Sequence, residues 1–184
     1  MFRKPFIAAA LLLASSALAQ TSTHTTVLKM EDGTLKMAER EIVSLAEAVP
    51  ADKYDFAPTG GEFKGVRTFG HQMAHIAAVN YLVAAALLGE KGPVDPKDEE
   101  NGPVSLKDKD AIVKFLKDSF AYSHKAIATL TDQNFTEIIQ SPFGDKEARG
   151  SLAEVFGWHS FDHYGQAVVY ARMNGIIPPA SRPK

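Results

Sequence analysis

Apolar residues recur at helical intervals in four stretches of this chain, separated by three segments rich in proline, glycine and charge. The first stretch runs from about Thr26 to Ala48, where Leu28, Leu35, Ala38, Ile42, Leu45 and Val49 follow one another at spacings of three, four and seven. Such spacing draws an apolar stripe along one side of an α-helix. Gly33 weakens the middle of this helix and Pro50 ends it. The second runs from about Thr68 to Leu88, with Phe69, Met73, Ile76, Ala77, Leu82, Val83 and Leu87 on a wide apolar face. Thr68 fits the N-cap and Gly89 the C-cap. The third runs from about Leu106 to Leu130, with Ile112, Phe115, Leu116, Phe120, Ile127 and Leu130 along one side. Ser105 followed by Asp108 resembles a capping box with a shortened acid. The fourth runs from about Leu152 to Asn174, where Ser151 and Glu154 have the spacing of a full capping box, and Gly175 with Pro178-Pro179 stops it.

The connections are residues 51–65, 91–103 and 131–150. The middle one holds three prolines and the charged run Asp95 to Glu100, and reads as a solvated loop. The last has room for a short extended piece, Phe135 to Ile139. Four helices of about 20 residues joined by such loops predict an all-α fold, a helical bundle. Bundles build metal sites in their cores from side chains on facing helices. There is no internal repeat.

The beginning of the chain does not belong to this pattern. Arg3 and Lys4 precede an apolar run from Phe6 to Leu18, which ends in Ala17-Leu18-Ala19. That is the layout of a secretory signal peptide cut after Ala19. The expected organisation is a signal peptide at residues 1–19 and one bundle domain at residues 20–184, exported to the periplasm or outside a bacterium. The apolar run is too short to span a bilayer as a helix, and no other segment approaches that length, so no membrane anchor is expected. The formal charge of −2 becomes more negative once Arg3 and Lys4 are lost, which gives no bulk electrostatic reason to bind nucleic acid or anionic lipid. The chain has no cysteine. That excludes a lipid-anchor cysteine, a c-type haem attachment and thiolate metal ligands, and leaves nitrogen and oxygen to hold any metal.

The six histidines include two pairs four residues apart, His71/His75 and His159/His163. On a helix that spacing puts both imidazoles on one face, one turn apart, where both can reach one divalent ion. Chance placement of half-buried histidines is the alternative, since a single pair of this kind is a weak signal.

Residues 158–166 read W-H-S-F-D-H-Y-G-Q, and residues 170–178 read Y-A-R-M-N-G-I-I-P. Together with Gln72-Met73-Ala74-His75-Ile76-Ala77 and the path from Leu45 to Phe69, they resemble the DinB family over nearly all of the chain after residue 19. The resemblance implies a DinB-like four-helix bundle with a long crossover connection, and a divalent metal held by His75, His159 and His163. Three neutral imidazoles leave positions open for water or substrate, and zinc or nickel suits all-nitrogen ligation. His71 stays open as a fourth ligand, a base or a plain helix-face residue, and His124 and His24 are weaker candidates. Gln166 is placed to hydrogen-bond a ligand or water, and Asn80 is a weaker candidate for that role. Trp158, Phe161 and Tyr164 read as core or dimer-face aromatics, with a substrate wall as the alternative. Asp162 reads as a surface charge, and Arg172 and Asn174 as residues that fix the helix end.

The functional expectation is an exported metal-dependent hydrolase or transferase that uses metal-bound water or a metal-polarised substrate. Its small-molecule substrate is not specified by the residues, and its helix faces are wide enough for a homodimer. Some DinB relatives use low-molecular-weight thiols, which export would make scarce. The alternative is a non-catalytic periplasmic metal-binding or stress-related helical module. A third reading is a b-type haem bundle, for which His–Met ligation would be available through Met37, Met73 or Met173.

Overall fold

Threonine caps start the first two helices, Thr68 as expected and Thr26 in addition. Thr26 accepts the Lys29 N–H at the head of α1 (Val27–Ala48), and Thr68 accepts the His71 N–H at the head of α2 (Phe69–Leu88). Gly89 closes α2 in a left-handed conformation, at φ 66°. The structure, a computed structural model, describes residues 25–183. The signal peptide expected at residues 1–19, and His24, lie outside the described residues.

The other two helices begin differently from expectation. Asp108 is itself the N-cap of α3 (Lys109–Ile127) and accepts the Ala111 N–H at 2.8 Å, so Ser105 plays no part. No side chain caps α4 (Arg149–Met173), and Ser151 lies inside it. The helix grows directly out of a hairpin, β1 (Ile138–Gln140) against β2 (Lys146–Ala148). The carbonyls of Glu137 and Phe135 accept the Arg149 and Gly150 N–H groups at 2.8 and 2.7 Å, which satisfies two donors that a capping side chain would have taken. The expected extended piece is therefore shifted toward the C-terminus and has a second strand as partner.

Side-chain contacts set the helix directions. Asp32 and Glu39 of α1 meet His124 of α3 while Glu47 meets Lys117, so α1 and α3 are antiparallel. Gln72 and His75 of α2 meet His163 and His159 of α4 while the Leu87 carbonyl meets Arg149, so α2 and α4 are also antiparallel. Asn80 meets Ser119 and Gly70 approaches Ile112, which makes α2 and α3 parallel. The bundle thus runs up, down, down, up, and residues 89–108 are the long crossover that two successive parallel helices require. The expected crossover bundle is present.

Helix α2 lies at the centre. It packs on both α3 and α4, and 17 of its 20 residues are buried. It is long and apolar enough to cross a membrane, contrary to the sequence expectation, but it is a core helix whose most apolar window is 83% buried. Around it, Leu35, Ile42, Leu45, Phe69, Met73, Ile76, Leu116, Phe120, Leu152 and Phe156 form one continuous core.

The crossover approaches α2 most closely at Gly102. Its φ of 73° is left-handed, and a Cβ there would stand 2.6 Å from Ala74 Cβ. Gly33, by contrast, sits exposed inside α1, where an added Cβ would meet nothing within 4 Å. Urea unfolding should show Gly102→Ala destabilised by about 1–3 kcal/mol, from backbone strain and overpacking. Gly33→Ala should be stabilised by about 0.5–1 kcal/mol.

Candidate metal centre

The antiparallel register of α2 and α4 brings His75, His159 and His163 onto one point inside the bundle. Candidate ligand atoms of the three lie within 4.8 Å of one another. Ring centroids are 4.9 Å apart for His75 and His159, 4.6 Å for His75 and His163, and 4.5 Å for His159 and His163. His75 and His163 are buried, and His159 is more open toward the surface.

Hydrogen bonds fix which nitrogen of two rings faces inward. His75 Nδ1–H donates to the Glu99 carbonyl at 2.6 Å, so its Nε2 carries a lone pair. His163 Nδ1 lies 2.6 Å from Gln72 Oε1. The direction of that bond follows from a chain of side chains. The Asp162 carboxylate only accepts, so Gln166 turns its amide NH₂ toward it, at 3.0 Å. Gln166 Oε1 then accepts from Gln72 Nε2 at 2.9 Å, which leaves Gln72 Oε1 to face His163. His163 must donate from Nδ1, and its Nε2 keeps the lone pair.

His159 completes the cluster with Nε2 only 3.0 Å from His75 Nε2, while its Nδ1 is buried and without a partner among the described residues. Two imidazole nitrogens on one tetrahedral zinc stand about 3.3 Å apart, given bonds of 2.0–2.1 Å. The observed approach is close to that spacing. Two inward lone pairs and a third ring in contact with one of them form a donor set that a divalent cation satisfies, so the residues fit a metal.

The site keeps its imidazoles neutral. Burial, then the neighbouring His163 and His75, push His159 down to about 3. Burial and then His75 push His163 down to about 4, and burial also lowers His75. The Arg67 charge contributes a smaller lowering at all three. Neutral imidazole is the form that binds metal.

Other candidates are placed elsewhere. His71 is exposed in the first turn of α2 and does not join the cluster. His124 is held between Asp32 and Glu39 at 3.0 Å each, tying α3 to α1. Asn80 bonds Ser119 rather than a histidine. Gln166 reaches Gln72, not a ligand ring. Asp162 is exposed, as expected of a surface charge, yet it also anchors the chain that ends at His163. Trp158 is 61% exposed and stacks edge-on beside His159 at 5.8 Å, so it is not a core residue. Arg172 bonds Ser181 and Asn174 bonds the Tyr170 carbonyl, both fixing the helix end. Met37 and Met173 are exposed.

Sequence reasoning missed three contributors: Gln72, the Glu99 carbonyl and Arg67. Gln72 was findable, because it lies three residues before His75 and therefore on the same helix face. The carbonyl carries no side-chain signal at all.

A family model described as the DinB superfamily matches residues 34–167, a span that includes all three histidines. Among solved structures, a DinB-like protein from Bacillus cereus is similar at a TM-score of 0.68 and 16% identity, over 84% of this chain and 96% of that one. A DinB-like protein from Bacillus subtilis is similar at 0.59 and 18%, over 84% and 99%. A mycothiol-dependent maleylpyruvate isomerase is similar at 0.54 and 19%, over 77% of this chain and 59% of that one. At such identities the likeness is one of fold. No curated protein matches.

Two outcomes are expected. Gln72→Leu, nearly isosteric, should weaken zinc binding about 10- to 100-fold in competition with a chromophoric chelator while the fold is kept; unchanged affinity would contradict the role given to Gln72. In metal-free protein, histidines with folded pKa values below the unfolded 6.5 make unfolding take up protons in acid. The stability present above pH ~6.5 should therefore fall as pH drops through about 4 for His163 and toward about 3 for His159. Thermal unfolding should show this slope, and His163→Phe should flatten it.

Proposed function

This chain belongs to the DinB superfamily, and from that premise we propose that it is a metal-dependent enzyme of the hydrolase or transferase type. The observation that carries the reading is the number and state of the inward nitrogens. Three neutral imidazoles converge on one point and no fourth protein ligand joins them among the described residues. Three protein ligands leave coordination open, which is the arrangement of catalytic rather than structural zinc sites. Zinc or nickel is the ion such a set favours. When bound, a divalent ion there supplies Lewis-acid polarisation of an oxygen or activation of water.

The protein's own groups hold the site in order. The Glu99 carbonyl and Gln72 fix the rings of His75 and His163 by their Nδ1–H groups, with both Nε2 lone pairs kept unprotonated. Burial keeps protons from competing for those lone pairs near neutral pH. Exposed Trp158 stands beside His159, where it can cover an apolar part of a substrate.

The mycothiol-dependent isomerase neighbour, of which this chain spans 59%, supports a thiol-using transfer, and an exported location, where such thiols are scarce, weighs against it. The chain has no cysteine, so any thiol would arrive as a co-substrate. The signal-like residues 1–19 support a periplasmic or secreted location. Exposed Val169 and Met173 on α4 support a homodimer.

One observation favours the alternative, a non-catalytic metal-binding module. A cleft of about 580 Å³ lies between the end of α2, residues 90–96 and residues 140–142, away from all three histidines. Activity separates the two readings. Chelator-stripped protein should lose turnover of ester, amide or thiol-conjugation substrates by about two orders of magnitude or more, and one equivalent of zinc or nickel should restore it. Turnover that survives stripping would contradict a metal-dependent enzyme, and absence of turnover with full metal would favour the module.

A further inference from the structure

Arg67 immediately precedes Thr68, the cap of α2, and its side chain is half-buried. Its Nε donates to the Glu100 carbonyl at 2.6 Å. The preceding carbonyl, that of Glu99, is the one that accepts His75 Nδ1–H, also at 2.6 Å. Consecutive residues stand about 3.8 Å apart along the backbone. The guanidinium and the His75 ring are thus tied to two successive carbonyls of the crossover. The Arg67 charge also contributes a small lowering at each of His75, His159 and His163. The carboxylates of Glu99 and Glu100 act only on His75, and that of Asp162 only on His163.

Among the described residues one of the five guanidinium N–H donors has a protein acceptor, the Glu100 carbonyl. Among the described residues the guanidinium forms no ion pair with a carboxylate, and its hydrogen bond is made by Nε alone. A tie to one carbonyl needs a single donor, and a half-buried cation without a counter-charge is unfavourable. The imbalance grows if a divalent ion sits beside it, because two cations at short range repel unless an anion lies between them. A planar fork with both ends open is the shape that takes a carboxylate or phosphate bidentately.

We infer that Arg67 is a substrate-binding residue that anchors an oxyanion, a carboxylate or phosphate group, on the molecule presented to the three histidines. The substrate class is therefore a small anionic compound whose charged group spans the gap between the guanidinium and the metal position. The inference rests on the metal-dependent reading above for its second cation, while the open fork of Arg67 stands without it.

Trp158 provides the readout, since it is the single tryptophan of the chain and lies 5.8 Å from His159. The probes are acetate and inorganic phosphate, titrated into the full-length mature protein after its metal content has been measured. Trp158 fluorescence should change saturably, and the side-chain ¹⁵N resonances of Arg67 should shift with the same midpoint. Arg67→Gln should weaken binding about 10-fold or more with metal content unchanged, and Arg67→Lys should fall between. A response to acetate alone assigns a carboxylate, to phosphate alone a phosphate group, and to both a general oxyanion site. Equal midpoints in wild type and Arg67→Gln would overturn the inference. If Arg67→Gln does not fold, unmoved Arg67 resonances in the wild type would overturn it as well. A protein without metal defeats the metal reading, and the same titrations then decide the role of Arg67 on their own.

Discussion

Three imidazoles buried against one another cannot all aim lone pairs at a common point without a cation or a proton among them, and the surrounding structure enforces that aim. His75 and His163 are each held by an Nδ1–H bond of 2.6 Å, to the Glu99 carbonyl and to Gln72. Neither ring can turn without giving up a bond inside a poorly solvated interior, where an unmade hydrogen bond is costly. The Asp162–Gln166–Gln72 chain extends this control from the surface to His163, because a carboxylate at one end sets the direction of every amide after it. The cluster is thus prepared to receive positive charge while burial keeps protons away.

The crossover makes this possible. Two successive parallel helices force residues 89–108 to run along the bundle, and that path lays the Glu99 and Glu100 carbonyls against His75 and Arg67. Close approach at Gly102 and Ala74 holds the segment against α2. Helix α2 can carry polar Gln72, His75 and Asn80 through its buried length because each has a partner on another element: Gln166 and His163, the crossover, and Ser119. The topology, the buried polar groups and the candidate site are in this sense one arrangement.

Much of the fold was legible in the residues. The apolar periods marked four helices, and the Thr68 and Gly89 caps lie where local chemistry places them. The heads of α3 and α4 were misread for a physical reason. Capping-box spacing is local, whereas the head of α4 is satisfied by carbonyls of Glu137 and Phe135 from a preceding hairpin whose pairing is not a local property. The hairpin itself has only three residues in each strand, too few for alternation to show. The apolar character of α2 was read as one wide face, and its burial on nearly all sides follows from the crossover covering what α3 and α4 leave open.

The site was legible in part. His159 and His163 are one turn apart on one helix, and that pair is brought together with His75. His71 has the same spacing from His75 but is exposed and does not join the cluster. Gln72 shares a helix face with His75 and could be found from that spacing, whereas Arg67 acts through a carbonyl distant in sequence and its role appears only once the chain is folded. The central claim is that these three imidazoles hold a divalent ion. Elemental analysis of protein purified without chelator or added metal, beside the His159→Ala/His163→Ala double variant, addresses it most directly. The account predicts about one zinc or nickel ion per chain in the wild type and its loss in the double variant with the helices intact. A wild type without metal, or a folded double variant that keeps its ion, would contradict it.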